Sequence, residues 1–441
     1  MELDIVSDPQ RTEVGSYFVA NYPPFSVWSA EHVPAALTAI DTPVSNPKAN
    51  PVGLYLHIPF CRKRCKFCYF RVYTDKNSSE VEDYLAALAA EASLYAQRAS
   101  LRDRSFEFVY FGGGTPSFLS NEQLHRLIER IARHWNWSDA REVTFECEPG
   151  TLKKSKLEAI KAIGTTRLSL GIEHFDDEVL TLNGRAHKSP EIFQAYDWAR
   201  ETGFAQINVD LIAGMLGDTE AKWRATVEAG LKLSPDSVTI YQMELPHNTV
   251  IAREAQVGGV EPAVANWASK RAWVDYAFTQ FEAAGYVVSS GYTLMKPSPQ
   301  ARFVYRDAIW HGADMVGMGV ASFSHLQGVH YQNVDTWEDY LARTARGELP
   351  LARALPVPIR QRMIRELVLQ WKLGRMKSAY FQEKFGVDVA REYAPELTAL
   401  EAEGFAVRSA SEWRLTRAGL LRVDALLPRF FEPQFRNIRY T

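Results

Sequence analysis

From residue 53 the chain alternates short apolar, β-branched runs with longer stretches of helical periodicity. Leu54–Ile58, Phe106–Phe111, Glu142–Cys147, Arg167–Gly171, Ile207–Ile212 and Ser237–Met243 read as strands. Residues 79–98, 121–136, 152–163, 189–202 and 219–233 read as the helices between them. Strand–helix alternation predicts a parallel sheet covered by helices, and six such units suit an α/β fold of the partial (β/α)6 barrel type. In such barrels the functional side chains gather at the C-terminal ends of the strands.

The flanks break this rhythm. Residues 1–50 are Pro-rich and poorly periodic, and read as an N-terminal arm that is either ordered or a disordered leader. Residues 51–349 hold the barrel and a barrel-side extension with the apolar run Tyr286-Val-Val-Ser-Ser. Over 350–441 the order becomes helix, helix, helix, ribbon, ending in the strand-like Phe405-Ala-Val and Trp413-Arg-Leu. That order predicts a C-terminal winged-helix-like α+β domain.

Composition narrows the classes. Of 441 residues, 46% are apolar and 23% charged, which excludes disorder as the main state. The 53 acidic and 50 basic residues leave a net charge of −3, too little for a field that gathers nucleic acid or anionic lipid. No apolar run is long enough for a spanning helix, and the start MELDIVSDPQRTEV lacks the features of a secretory signal. The expectation is a cytoplasmic monomer with neither nucleic-acid nor membrane partners.

The chemistry concentrates in the cysteines. Cys61, Cys65 and Cys68 stand in Cys-x-x-x-Cys-x-x-Cys, among Arg62, Lys63, Arg64 and Lys66. Three thiolates on one loop leave one position of a metal group open, which suits a reactive site better than a closed structural one. A zinc site closed by His57 or Cys147, or three free thiols, are the plainer alternatives. Cys147 follows Glu146 on a strand and so faces away from it.

The cysteine spacing, with Phe67 before the last Cys, resembles the radical S-adenosylmethionine (SAM) superfamily. The string Leu54-Tyr55-Leu-His-Ile-Pro-Phe-Cys61 is similar to its oxygen-independent coproporphyrinogen III oxidase-like, or HemN-like, branch, and the resemblance runs from about residue 51 to the C-terminus. It implies a [4Fe–4S] cluster on the three cysteines, SAM chelated to its fourth iron, and a reducing partner such as flavodoxin or ferredoxin. It also implies cofactor contacts from Tyr55 and Phe67, and from Gly112, Gly113 and Thr115 of Phe111-Gly-Gly-Gly-Thr-Pro116. Glu146, Glu173, Arg185, Asp210 and Met243 complete the implied cofactor set. Arg185 suits a carboxylate by a bidentate fork. Glu146 suits a ribose or ammonium group, and Met243 is equally a core residue.

Two departures bear on function. Where relatives that oxidise porphyrinogen carry a further Cys after the motif, this chain has Tyr69-Phe70. Where they carry Gln, it has Glu173, which either meets a cation, serves as a base, or pairs with Arg185. Tyr69, Glu173 and His174 are therefore the catalytic candidates, with packing the plainer role for Tyr69 and His174. The departures point to the branch that uses two SAM molecules. One yields the 5′-deoxyadenosyl radical, and the other gives a methyl or methylene group to an sp² carbon of a planar aromatic or conjugated natural-product precursor. The outcome is C-methylation or cyclopropanation. The alternatives are oxidative decarboxylation or ring opening of a tetrapyrrole, and a haem-binding chaperone.

Overall fold

A computed structural model describes residues 19–246, 248–258, 264–298, 302–409, 412–436 and 438. Its backbone is one sheet of twelve strands. Six parallel strands follow the predicted rhythm: β1 Val52–Ile58, β2 Phe106–Gly113, β3 Glu142–Cys147, β4 Arg167–Glu173, β5 Gln206–Ala213 and β6 Ser237–Gln242. Beyond them come β7 Val287–Val288, β8 Thr293–Met295, β9 Asp314–Met318, β10 Phe323–Leu326, β11 Val329–Asn333 and β12 Leu351–Pro356. The spatial order is β12-β11-β10-β9-β1-β2-β3-β4-β5-β6-β8-β7. Because β9 runs parallel to β1, the barrel wall has a seventh parallel strand that the periodicity does not reveal. The sheet does not close, so this is a partial barrel with an antiparallel extension at either edge.

Helices Ser78–Ala96, Asn121–Ala132, Lys154–Ala162, Ser189–Thr202 and Glu220–Leu233 cover the sheet. Two begin with reciprocal capping, Asn77 with Glu80 and Ser120 with Gln123, which satisfies first-turn N–H groups otherwise left unpaired. Leu54, Leu56, Phe111, Phe145, Leu168, Leu170, Ile207 and Val209 are buried in the core between sheet and helices. Among the described residues no helix is long and apolar enough to cross a membrane.

One predicted boundary moves. Strand β12 pairs with β11, so the architecture changes after Pro356 rather than at 350. The first eighteen residues of the predicted arm lie outside the described residues. The rest is tied down: Val33–Asp41 is helical, and Ser29 bridges Ala354 on β12. The C-terminal part packs helices Ile359–Trp371, Ser378–Phe385 and Ala394–Ala402 against a ribbon of β13 Arg375–Met376, β14 Ala406–Arg408 and β15 Trp413–Leu415. Its core includes Val19 and Tyr22. The Val19 N–H donates to Asp424 at 2.9 Å, and the Tyr22 hydroxyl to Glu432 at 3.1 Å.

One buried carboxylate fastens the barrel's first helix to its extension. Glu91 is fully buried and accepts from the Asn333 amide (2.7 Å), the Gly319 N–H (2.8 Å) and the Tyr340 hydroxyl (2.7 Å). Glu91→Gln turns an NH₂ group toward donors, so it is expected to lower unfolding free energy by about 1–3 kcal/mol. Chemical denaturation measures this, and an unchanged midpoint would refute the role.

Candidate functional site

The site forms where β1–β6 end. The cysteine loop leaves β1 through Pro59 and Phe60 and is pinned from two sides. The Lys66 N–H donates to the Asn183 carbonyl at 3.0 Å, and the Ile251 N–H donates to the Lys66 carbonyl at 3.2 Å. Gly184, at φ +77°, lies under the loop, where a Cβ would come 3.2 Å from the Arg64 carbonyl and 3.3 Å from the Lys66 nitrogen. Only glycine combines that conformation with that approach. Gly114 is as tightly held, because a Cβ there would meet the backbone of Pro59 at 2.8 Å.

The three sulfurs lie in a polar setting. The Thr115 hydroxyl donates to Cys61 Sγ at 3.3 Å, and Arg185 Nη1 to Cys65 Sγ at 3.2 Å. Burial pushes the Cys61 thiol up to about 11 and the Cys68 thiol up to about 12, with the neighbouring Cys65 adding to both. Binding a metal group there must displace protons. Three mutually interacting thiols with hydrogen-bond donors aimed at sulfur suit an anionic iron–sulfur cluster.

Inside the barrel, three carboxylates stand on successive strands. Glu146 accepts from the Tyr110 hydroxyl at 2.6 Å and from the Gly113 N–H at 3.3 Å. Asp210 accepts from Ser169 at 2.9 Å and from Asn208 at 3.0 Å. Glu173 lies 3.5 Å from Arg185, whose Nη2 also donates to the Gly171 carbonyl at 2.5 Å. Burial raises Glu146 and Glu173 to about 7, and the Asp210 charge adds to both. Glu173 holds φ +67°, a conformation that costs a non-glycine residue roughly 1 kcal/mol. The register of β4 against β5 shifts between Gly171 and Glu173. Such strain is stored where surrounding structure enforces it, commonly at sites of function.

Most of the predicted residues meet here. Tyr55 stacks on Tyr110 with ring centroids 5.8 Å apart, and Gly112 faces both rings. Tyr69 is exposed at the mouth against Phe70, with ring centroids 4.5 Å apart. Phe67 packs on an apolar cluster of Val179, Ile212, Met215, Met243 and Ile251. Met243 is buried in that cluster, the core role that the sequence equally allows. His174 stands apart from the set. It is fully buried on the helix side, between Asp218 at 3.3 Å and Thr226 at 3.2 Å. Strand alternation sends Gly171 and Glu173 inward and His174 outward. Cys147 is buried and apart from the loop thiols, as alternation predicts.

One group escapes the sequence reading. Glu148 receives a fork from Arg62 (3.0 and 3.1 Å) and lies 2.8 Å from His187 Nδ1. It ties the cysteine loop to β3 and to the segment after Arg185. Its only signal in the sequence is its place two residues after Glu146.

Comparison with known proteins bears on the same residues. The profile of the radical SAM superfamily matches residues 55–229, and that of the HemN C-terminal domain matches residues 360–422. The chain is 27% identical to the oxygen-independent coproporphyrinogen III oxidase of Synechocystis over 423 residues, which is 91% of this chain and 89% of that one. It is 30% identical to the heme chaperone HemW of Mycobacterium tuberculosis over 304 residues, 68% of this chain and 76% of that one. The fold matches coproporphyrinogen III oxidase (HemN) from Escherichia coli with a TM-score of 0.81 at 23% identity, covering 94% of this chain and 96% of that one. These relatives overturn the expectation of methyl or methylene transfer to a natural-product precursor. That expectation rests on single positions, Tyr69 and Glu173, and a likeness across nine-tenths of the chain outweighs them.

Proposed function

This chain belongs to the HemN-like branch of the radical SAM superfamily, and from that premise we propose that it acts on a tetrapyrrole by oxidative decarboxylation of a propionate side chain. The supporting observation is the lining of the barrel mouth: Glu146, Glu173 and Asp210 on three strands, with Arg185 touching both Glu173 and Cys65. Arg185 beside Glu173, with the further acids Glu146 and Asp210 on neighbouring strands, favours a ligand that carries both a cation and a carboxylate, which describes SAM. A bound [4Fe–4S] cluster and SAM supply the 5′-deoxyadenosyl radical that removes a substrate hydrogen. The residues present do the rest. Cys61, Cys65 and Cys68 hold the cluster. Arg185 and Glu173 orient the amino-acid end of SAM, and Asp210 and Glu146 take its hydroxyls. The Tyr55 and Tyr110 rings wall the lumen, and Tyr69 stands at its mouth. A reduced flavodoxin or ferredoxin delivers the electron at the Lys/Arg-rich loop.

The test is anaerobic turnover of coproporphyrinogen III by the reconstituted protein with SAM and reductant. The expected result is 5′-deoxyadenosine together with a product that has lost carbon dioxide and two hydrogens per side chain. A second reading, haem carriage, is favoured by the absence of a further Cys after Cys68, which is followed by Tyr69-Phe70. A stable haem complex that forms without any SAM cleavage would establish it and defeat the first.

A further inference from the structure

The end of the barrel opposite the cysteines carries a separate charged cavity. It encloses about 450 Å³ and is lined by Asp314 and His325 from the sheet and by Arg362, Arg365, Glu366 and Lys384 from the C-terminal helices. Its carboxylates are already engaged. Asp314 pairs with Arg104 at 2.9 Å and accepts the Gln327 N–H at 2.9 Å. Glu366 accepts from Lys384 at 2.8 Å and from the Tyr380 hydroxyl at 2.5 Å.

Two guanidinium groups are left over. Arg365 is 3% exposed, and among the described residues its side chain makes one hydrogen bond, from Nε to Asn21 Oδ1 at 2.7 Å. Arg362 Nε is buried without a hydrogen-bond partner among the described residues. Neither has a carboxylate within ion-pair distance among those residues. Glu366 and Asp314 attract Arg365 from beyond that distance but are shared with Lys384 and Arg104, so its buried charge is only partly balanced, which is costly. Burial pulls Arg365 down to about 10.

The paired histidines refine the chemistry. His330 Nε2 lies 3.0 Å from the Tyr22 carbonyl, which can only accept, so that nitrogen carries the proton. His330 Nδ1 is then an acceptor and takes the proton of His325 Nδ1 at 2.8 Å. The same logic leaves His325 Nε2 as an acceptor. A lining of two unpaired guanidinium groups and one acceptor nitrogen suits an oxyanion that also carries a hydroxyl.

We propose that Arg362, Arg365 and His325 form a binding site for a phosphate group, independent of the cysteine-centred site. The volume admits a phosphorylated small molecule as well as the free ion. The test is thermal unfolding of the full chain at constant ionic strength with inorganic phosphate, sulfate or succinate, for wild type, Arg365→Met and Arg362→Gln. Phosphate is expected to raise the wild-type midpoint saturably and to bind at least tenfold tighter than sulfate or succinate. Each variant is expected to lose at least tenfold in phosphate affinity. Without phosphate, Arg365→Met is expected to unfold close to wild type, since it removes a buried charge that has no direct ion pair along with its bond to Asn21. Equal phosphate shifts in all three proteins, or equal affinities for the three anions, would overturn the proposal. Arg362→Gln, at the less buried position, decides the matter if Arg365→Met does not fold.

Discussion

Replacing Cys65 by serine should abolish the iron–sulfur absorbance of the anaerobically reconstituted protein and reduce SAM cleavage at least a thousandfold. The loop is built around this residue. Its sulfur takes the Arg185 Nη1 hydrogen bond, its carbonyl accepts the Cys68 N–H at 3.1 Å, and its Cα would lie 3.5 Å from a Cβ on Gly184. Serine keeps the shape, but a hydroxyl is a far weaker acid than a thiol and a poorer ligand for iron. The control is Cys147→Ser. Cys147 is 4% exposed and its thiol reaches the Phe145 carbonyl at 3.9 Å, so its loss touches stability and not iron content. Iron and sulfide counts on both variants settle it. Full iron in Cys65→Ser, or lost iron in Cys147→Ser, would mean that the cluster is held elsewhere.

The second large effect is on SAM affinity, measured by calorimetry between pH 6 and 8. Burial raises Glu173 and Glu146 to about 7, so below that pH both tend to be neutral and above it anionic. Their effect on stability runs one way. A raised acid contributes stability that is complete below its unfolded value and is lost as pH rises through 7. Affinity for a cationic ligand runs the other way and should climb through the same window, with proton release on binding below pH 7. Glu173→Gln should weaken SAM about a hundredfold and remove half of the pH slope, and adding Glu146→Gln should flatten the rest. An undiminished slope in the double variant would show that neither acid faces the ligand. Glu173→Gly is informative beside these, because it relieves the φ +67° conformation while deleting the charge. A gain in stability together with a loss of SAM affinity would show that the strain is kept for binding.

Much of the barrel is legible in the amino-acid sequence. The alternation of Leu54–Ile58, Phe106–Phe111 and their successors places β1–β6 to within a residue or two, because buried parallel strands are apolar throughout. What stays hidden is non-local. Strand β9 reads as a glycine-rich stretch and becomes the seventh parallel strand only by pairing with β1. Strand β12 looks like the start of a new domain because its partner β11 precedes it by a long helical excursion. At the site, the cysteine spacing and Phe111-Gly-Gly-Gly-Thr-Pro116 are readable because backbone geometry demands those residues. His174 sits on the helix side because strand alternation turns it away from Glu173, and the burial of Met243 is unreadable because core and ligand-facing methionines look alike in sequence. The function expectation fails for another reason: Glu173 and Tyr69 report what can happen at two points, not which substrate fills the mouth.

The tie between Val19 and Asp424, and between Tyr22 and Glu432, carries a kinetic consequence. These partners are 405 and 410 positions apart, so a ribosome finishes one long after releasing the other. Until residue 432 emerges, the segment around Tyr22 is held only through its backbone and Asn21, by His330 and Arg365, and its bonds to Asp424 and Glu432 are missing. Closing so large a loop comes late, after the barrel has formed. The nascent protein therefore passes through a stage with a folded barrel and an unseated tail, and that stage is where chaperones and proteases would find it.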